Sequence, residues 1–217
     1  MSYIENIYIC LAAPLFVAVI CMRGRGRVMM TFTLAGMTVS LFASYINTFL
    51  GTVWRMDTLR TSIGVAPMVE EIMKFLPVLF FLLVFEPRKE MVANASLMVA
   101  CGFATFENVC YLTNNGAGRI LHLLIRGFGT GAMHVVSGLI VALGLMILWD
   151  RTWLRVSGTF GLICGAMCYH GIYNVLVSQD GTAAQIGYVI PLVTVIVSLF
   201  FVRRIFPSYH YNDVRDR

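Results

Sequence analysis

The chain has 217 residues, of which 59% are hydrophobic and 12% charged. That is more apolar surface than one soluble core of this size can bury, so the surplus must face lipid. The net charge of +5 comes from basic residues dispersed among short loops, with no patch or stripe, which excludes nucleic acid as a partner.

A membrane-crossing helix needs about 20 mainly apolar residues, and seven segments qualify, near 6–22, 29–51, 65–85, 91–112, 122–149, 156–177 and 186–202. The first is followed by Arg23, Gly24, Arg25, Gly26 and Arg27, the third by Glu86, Pro87, Arg88 and Lys89, the fourth by Asn114, Asn115 and Gly116, and the fifth by Asp150 and Arg151. Turn-forming and charged residues of this kind mark the connections. No soluble domain fits between them. The expected architecture is therefore all-α: one polytopic transmembrane domain over 1–217, with a short tail at 203–217. Cys10, Cys21, Cys101, Cys110, Cys164 and Cys168 all fall inside apolar stretches without a Cys-x-x-Cys pair, and are expected to be small packing residues rather than a disulfide framework. Tyr111, Trp149, Trp153 and Tyr169 are expected to anchor interfaces or line the bundle.

Basic residues give the orientation. The loops after helices one, three and five and the tail carry Arg23, Arg25, Arg27, Arg88, Lys89, Arg151, Arg155, Arg203, Arg204, Arg215 and Arg217; the other side carries Arg55, Arg60 and Arg119, with Arg126 near an interface. The positive-inside rule then places the N-terminus outside and the tail in the cytoplasm of a multi-pass cell-membrane protein. The first segment has its basic residues after it and none before it, so it is expected to stay as a helix rather than leave as a signal peptide.

Ionisable residues inside spans are costly and by default mark a functional site. Six qualify: Glu70, Glu71 and Lys74 in the third helix, Glu107 in the fourth, His134 in the fifth and His170 in the sixth, with Asn108 and Asn174 beside them. At about 1.5 Å per residue, Glu70, Glu71 and Glu107 lie roughly 8 Å below the outer end of their helices and His170 about 10 Å. His134 is deeper, toward the midplane. Four antiparallel helices thus bring their costliest side chains to one level, which predicts a single site. Glu70 and Lys74, at i and i+4, are expected to pair, leaving Glu71 as the freer carboxylate; His170 and Asn174 share a face by the same spacing. Pro67 and Pro77 flank the acidic pair and are expected to open space there.

Glutamates and histidines in a wet intramembrane pocket suit hydrolysis. A carboxylate takes a proton from water while imidazoles and a second carboxylate hold a divalent metal or stabilise an oxyanion. Two histidines and one carboxylate form a known catalytic zinc set; without a metal, the histidines would donate to the oxyanion. Buried Glu and His chains also serve proton-coupled transporters and channels, although no internal repeat of the transporter kind is present. A non-catalytic scaffold that binds membrane helices would need the cavity but not all the acids.

The motifs Glu70-Glu71-Ile-Met-Lys74, Phe103-Ala-Thr-Phe-Glu107, isolated His134 and His170-Gly-Ile-Tyr-Asn174 resemble, in order and spacing, the PrsW family of intramembrane proteases. The resemblance runs from about Pro67 to Asn174. The family shares a superfamily with the CAAX prenyl endoproteases, in which the second motif commonly ends in His and the first in Arg one residue later. Glu107 and Lys74 stand here instead, which favours PrsW over prenyl-protein processing. The resemblance implies a membrane-embedded peptidase with its catalytic helices at about 65–177. By motif, Glu70 or Glu71 would activate water; Glu107, His134 and His170 would hold a metal, expected to be zinc, or the oxyanion; Asn174 would be a polar helper. The family's best-known role is extracytoplasmic cleavage of a single-pass anti-sigma factor, which starts a stress response, so the implied partner is a single-pass membrane protein in the lipid bilayer.

Overall fold

A computed structural model describes residues 3–115, 120–149 and 151–205. Gly116, Arg119, Asp150, Arg215 and Arg217 lie outside the described residues, as does the tail beyond Ile205. Among the described residues the chain is all-helical, with α1 (Ile4–Cys21), α2 (Gly24–Val53), α3 (Thr58–Gly64), α4 (Ala66–Phe85), α5 (Lys89–Asn115), α6 (Ile120–Leu148), α7 (Thr152–Val177) and α8 (Thr182–Ile205). Six of them, α1, α2, α5, α6, α7 and α8, are long and apolar enough to cross a membrane. The 20-residue α4 has the length, but Glu70, Glu71 and Lys74 lower its apolarity.

Several helices outrun their apolar cores. α2 spans 30 residues, about 45 Å at the α-helical rise, against a hydrocarbon layer of about 30 Å. Arg25, Gly26 and Arg27 therefore belong to its first turns, and the connection from α1 shrinks to Met22 and Arg23. Pro67 does not kink α4. It occupies the first turn, where a missing N–H costs nothing and the fixed φ suits the helix. Pro77 is the internal proline. Short α3 is absent from the sequence expectations; its N-cap is Asp57, whose carboxylate accepts from the Arg60 backbone N–H at 2.7 Å.

α5 is the central element, packing against α2 on one side and α6 on the other, while α4 closes against α2, α5 and α7, and α8 covers α6 and α7. The α2–α5 crossing is close enough to require glycine. A Cβ on Gly36 would stand 2.1 Å from the Val99 carbonyl oxygen, and one on Gly102 would stand 2.0 Å from that of Thr33. Val65, Val78, Val99, Phe103 and Leu145 form the apolar core around this crossing. Outward, α4 presents Met68, Ile72, Leu76 and Phe80, and α7 presents Val156, Phe160 and Ile172, an apolar exterior that suits lipid. All six cysteines are free, and Cys10, Cys21 and Cys168 are exposed, so those three do not pack the core.

Candidate active site

Because α4 enters where α5 and α7 leave, the first turns of α4 lie beside the last turns of its neighbours. Glu70 and Glu71 from α4, Glu107 from α5, His134 from α6 and His170 from α7 meet there. His134 and His170 are buried, with ring centroids 5.2 Å apart and planes nearly perpendicular at 86°. The convergence expected from depth alone is present in three dimensions.

The pairing of Lys74 differs from the i, i+4 expectation. Its Nζ donates to Glu71 Oε1 at 2.6 Å and to Ser137 Oγ at 2.8 Å, and stands 3.2 Å from His134 Nδ1. Both spacings are open to a helix; the tie breaks toward i+3 because Ser137 and His134 on α6 draw the ammonium to that side. Glu71 is the locked carboxylate, since His170 Nδ1 also contacts its Oε1 at 2.8 Å. Glu70 is held more lightly: Asn47 Nδ2 of α2 donates to its Oε1 at 3.2 Å, and His170 Nε2 lies 3.8 Å from its Oε2.

Glu107 bridges two residues of α6. Its Oε2 lies 2.5 Å from His134 Nε2, and its Oε1 accepts from an Arg126 NH2 at 3.0 Å. Its side chain keeps 33% of its accessibility, against 12% for Glu70 and 3% for Glu71. Of the three carboxylates it is the least buried. Asn174 stands one turn beyond His170, but its amide donates to the Ser62 backbone carbonyl at 2.8 Å. It ties α7 to α3, which lies at the same end of the bundle.

The donors suit a divalent cation. One ligand atom each from Glu70, His134 and His170 lies within 4.8 Å of the others; a tetrahedral zinc with bonds of about 2.0 Å needs them about 3.3 Å apart, and His134, whose Nδ1 meets Lys74 and whose Nε2 meets Glu107, must give up one of those contacts to bind it. With its Nδ1–H donated to Glu71, His170 carries its free lone pair on Nε2, the atom facing Glu70. That carboxylate–histidine arrangement orients metal-binding histidines generally. Among the described residues the three carboxylates pair with two cationic side chains, Lys74 with Glu71 and Arg126 with Glu107, and Glu70, which has neither, is an unpaired carboxylate in an apolar surrounding that a cation would complement. The carboxylate of this group is Glu70, whereas the motif assignment used Glu107.

Lys74 was legible as an intramembrane charge, but Asn47, Arg126 and Ser137 were not assigned to the site. Arg126 precedes His134 by about two turns of α6, and Ser137 follows it by three residues, so a helical repeat through His134 was the available signal.

A polytopic helix bundle with two histidines and three carboxylates gathered beneath one end has the ingredients of a membrane-embedded metallohydrolase. The sequence profile of the PrsW family intramembrane metalloproteases matches residues 24–202, and the chain belongs to that family. It is accordingly a membrane protease, a hydrolase acting on membrane proteins. No curated protein and no solved structure matches the chain.

Proposed function

We propose that this protease cleaves a single-pass, anti-sigma-factor-like membrane protein near the extracytoplasmic face, using a divalent metal held by Glu70, His134 and His170 and a general base supplied by Glu107. The observation that carries this reading is the meeting of those three donors within 4.8 Å, with Glu107 Oε2 2.5 Å from His134 Nε2. Zinc suits the two-histidine, one-carboxylate set; the chemistry such a cation supplies is acidification of water and polarisation of a carbonyl. Relative to the motif assignment, Glu70 and Glu107 exchange roles, because Glu70 lies with both imidazoles and Glu107 is the more open to water.

The chain's own groups divide the remaining work. Glu107 takes the proton of the attacking water at Oε2 and returns it to the leaving amine, the general acid–base cycle of a positioned carboxylate. Glu71 holds the His170 ring by Nδ1, and Lys74 balances Glu71 and fixes His134. The side of cleavage is read from the charge distribution: the site lies at the end of the bundle that bears the α2–α4 connection, where Arg55 and Arg60, with Arg119 and Arg126, stand against eleven basic residues on the other side, and the positive-inside rule reads that end as extracytoplasmic. Seven crossings with α4 among them complete this topology.

The test is cleavage of a single-pass reporter reconstituted with the protease in liposomes. Glu107→Gln is expected to abolish cleavage with metal retained, and Glu70→Gln to lose both. Cleavage that survives Glu107→Gln, or metal retained at full occupancy by Glu70→Gln, overturns this division of roles.

A further inference from the structure

We propose that Arg126 is a positioning residue of the reaction, holding Glu107 so that one particular oxygen faces the histidines; the proposal rests on Glu107 being the base. A glutamate's terminal torsion is broad and nearly two-fold, so a single contact leaves the carboxylate free to turn. Here two residues of α6 grip opposite oxygens: the Arg126 guanidinium takes Oε1 at 3.0 Å, and His134 Nε2 meets Oε2 at 2.5 Å. With Oε1 bound to a permanent cation, Oε2, which meets an imidazole instead, is the oxygen turned toward the histidines.

The guanidinium is itself held. Its centre lies 3.6 Å from the centroid of the Tyr111 ring, a stacking geometry that a planar guanidinium favours. Tyr111 follows Glu107 by four residues on α5, so the carboxylate and the ring present one face to α6. Tyr111, Arg126, Glu107 and His134 therefore form a row from the α5–α6 seam to the histidines. Two ion pairs divide the cations between them: Lys74 serves Glu71 in a buried pair, and Arg126 serves Glu107 in a partly buried one. Arg126 retains 20% of its side-chain accessibility, enough for a small guanidinium compound to reach the space it fills.

The experiment compares Arg126→Ala, Arg126→Lys and Glu107→Gln in the reconstituted cleavage assay, with methylguanidinium added to each. Misplacing a catalytic group costs on the order of 100-fold, so Arg126→Ala is expected to lower kcat by about that factor with KM and metal content unchanged. Methylguanidinium is expected to restore about tenfold of the loss in Arg126→Ala and nothing in Glu107→Gln, because the positioned group is then missing. Arg126→Lys, which keeps the charge without the fork, is expected to fall between, and it carries the test if Arg126→Ala does not fold. The proposal is overturned if folded Arg126→Ala or Arg126→Lys keeps wild-type kcat, or if Arg126→Ala loses activity that methylguanidinium does not restore. An active Glu107→Gln enzyme would instead overturn the assignment of the base, which separates the two failures.

Discussion

Replacing Lys74 by Met tests whether the buried charges of the site are held by mutual compensation. The Lys74 and Glu71 side chains are only 7% and 3% accessible, and their charged atoms are 2.6 Å apart. Without the ammonium, Glu71 keeps its contact with His170 but becomes a buried anion with no cation beside it. Removing one partner of a buried pair costs about 3–5 kcal/mol, whereas removing both can be nearly neutral. The lost contacts with Ser137 and His134 would account for little of this, since interhelical hydrogen bonds in membranes average about 0.6 kcal/mol each. In a chain of this size, 3 kcal/mol corresponds to roughly 6–12 °C in Tm. Reversible unfolding in mixed micelles, with chelator present so that metal binding does not contribute, should show Lys74→Met less stable by at least 3 kcal/mol. The double variant Glu71→Gln with Lys74→Met should recover most of that, because the glutamine amide oxygen can still accept from His170. A Lys74→Met cost near 1 kcal/mol, or a double variant as unstable as the single one, would refute the compensation argument.

Other consequences follow from particular contacts. Gly102→Ala would drive a Cβ to 2.0 Å from the Thr33 carbonyl oxygen, and overpacking of this kind costs typically 1–3 kcal/mol; thermal unfolding should show the loss, and an unchanged Tm would contradict the close α2–α5 crossing. Asn174→Ala should release α3 from α7, seen as faster trypsin cleavage at the exposed Arg60 with metal content intact; unchanged cleavage kinetics would mean the Ser62 contact does not hold the segment. Single cysteines placed at Asp57 and at Arg88 in a cysteine-free background should be labelled by a membrane-impermeant maleimide on opposite faces, Asp57 from the extracytoplasmic side. Labelling of both from one face would contradict the proposed topology.

Much of the site could be read before any coordinates. Glu70, Glu107, His134 and His170 stand out because a charge or imidazole in an apolar span is conspicuous, and a constant helical rise converts sequence position into depth. What periodicity cannot supply is the partner chosen when two spacings are equivalent. Lys74 reaches both Glu70 and Glu71 along α4, and the choice is made by Ser137 and His134 on another helix. Arg126, early in its span, reads from sequence as a residue near an interface. Across the α5–α6 seam its guanidinium meets Glu107, and only that packing assigns it to the site. Asn47 had no distinguishing mark among the polar residues of α2, and only the packing of α2 on α4 brings it to Glu70. α3 has a local signature in Asp57 ahead of Thr58 and Arg60, an acceptor placed before a short helical turn, but at seven residues it is too short to show an apolar period.

The most direct test of the central claim is the metal content of the purified protein, measured beside cleavage of the reporter before chelation, after chelation and after zinc is returned. About one divalent ion per chain is predicted, retained in Glu107→Gln and lost from Glu70→Gln and His170→Ala, with cleavage abolished by chelation and restored by zinc. A metal-free protein that cleaves at the full rate would contradict the account.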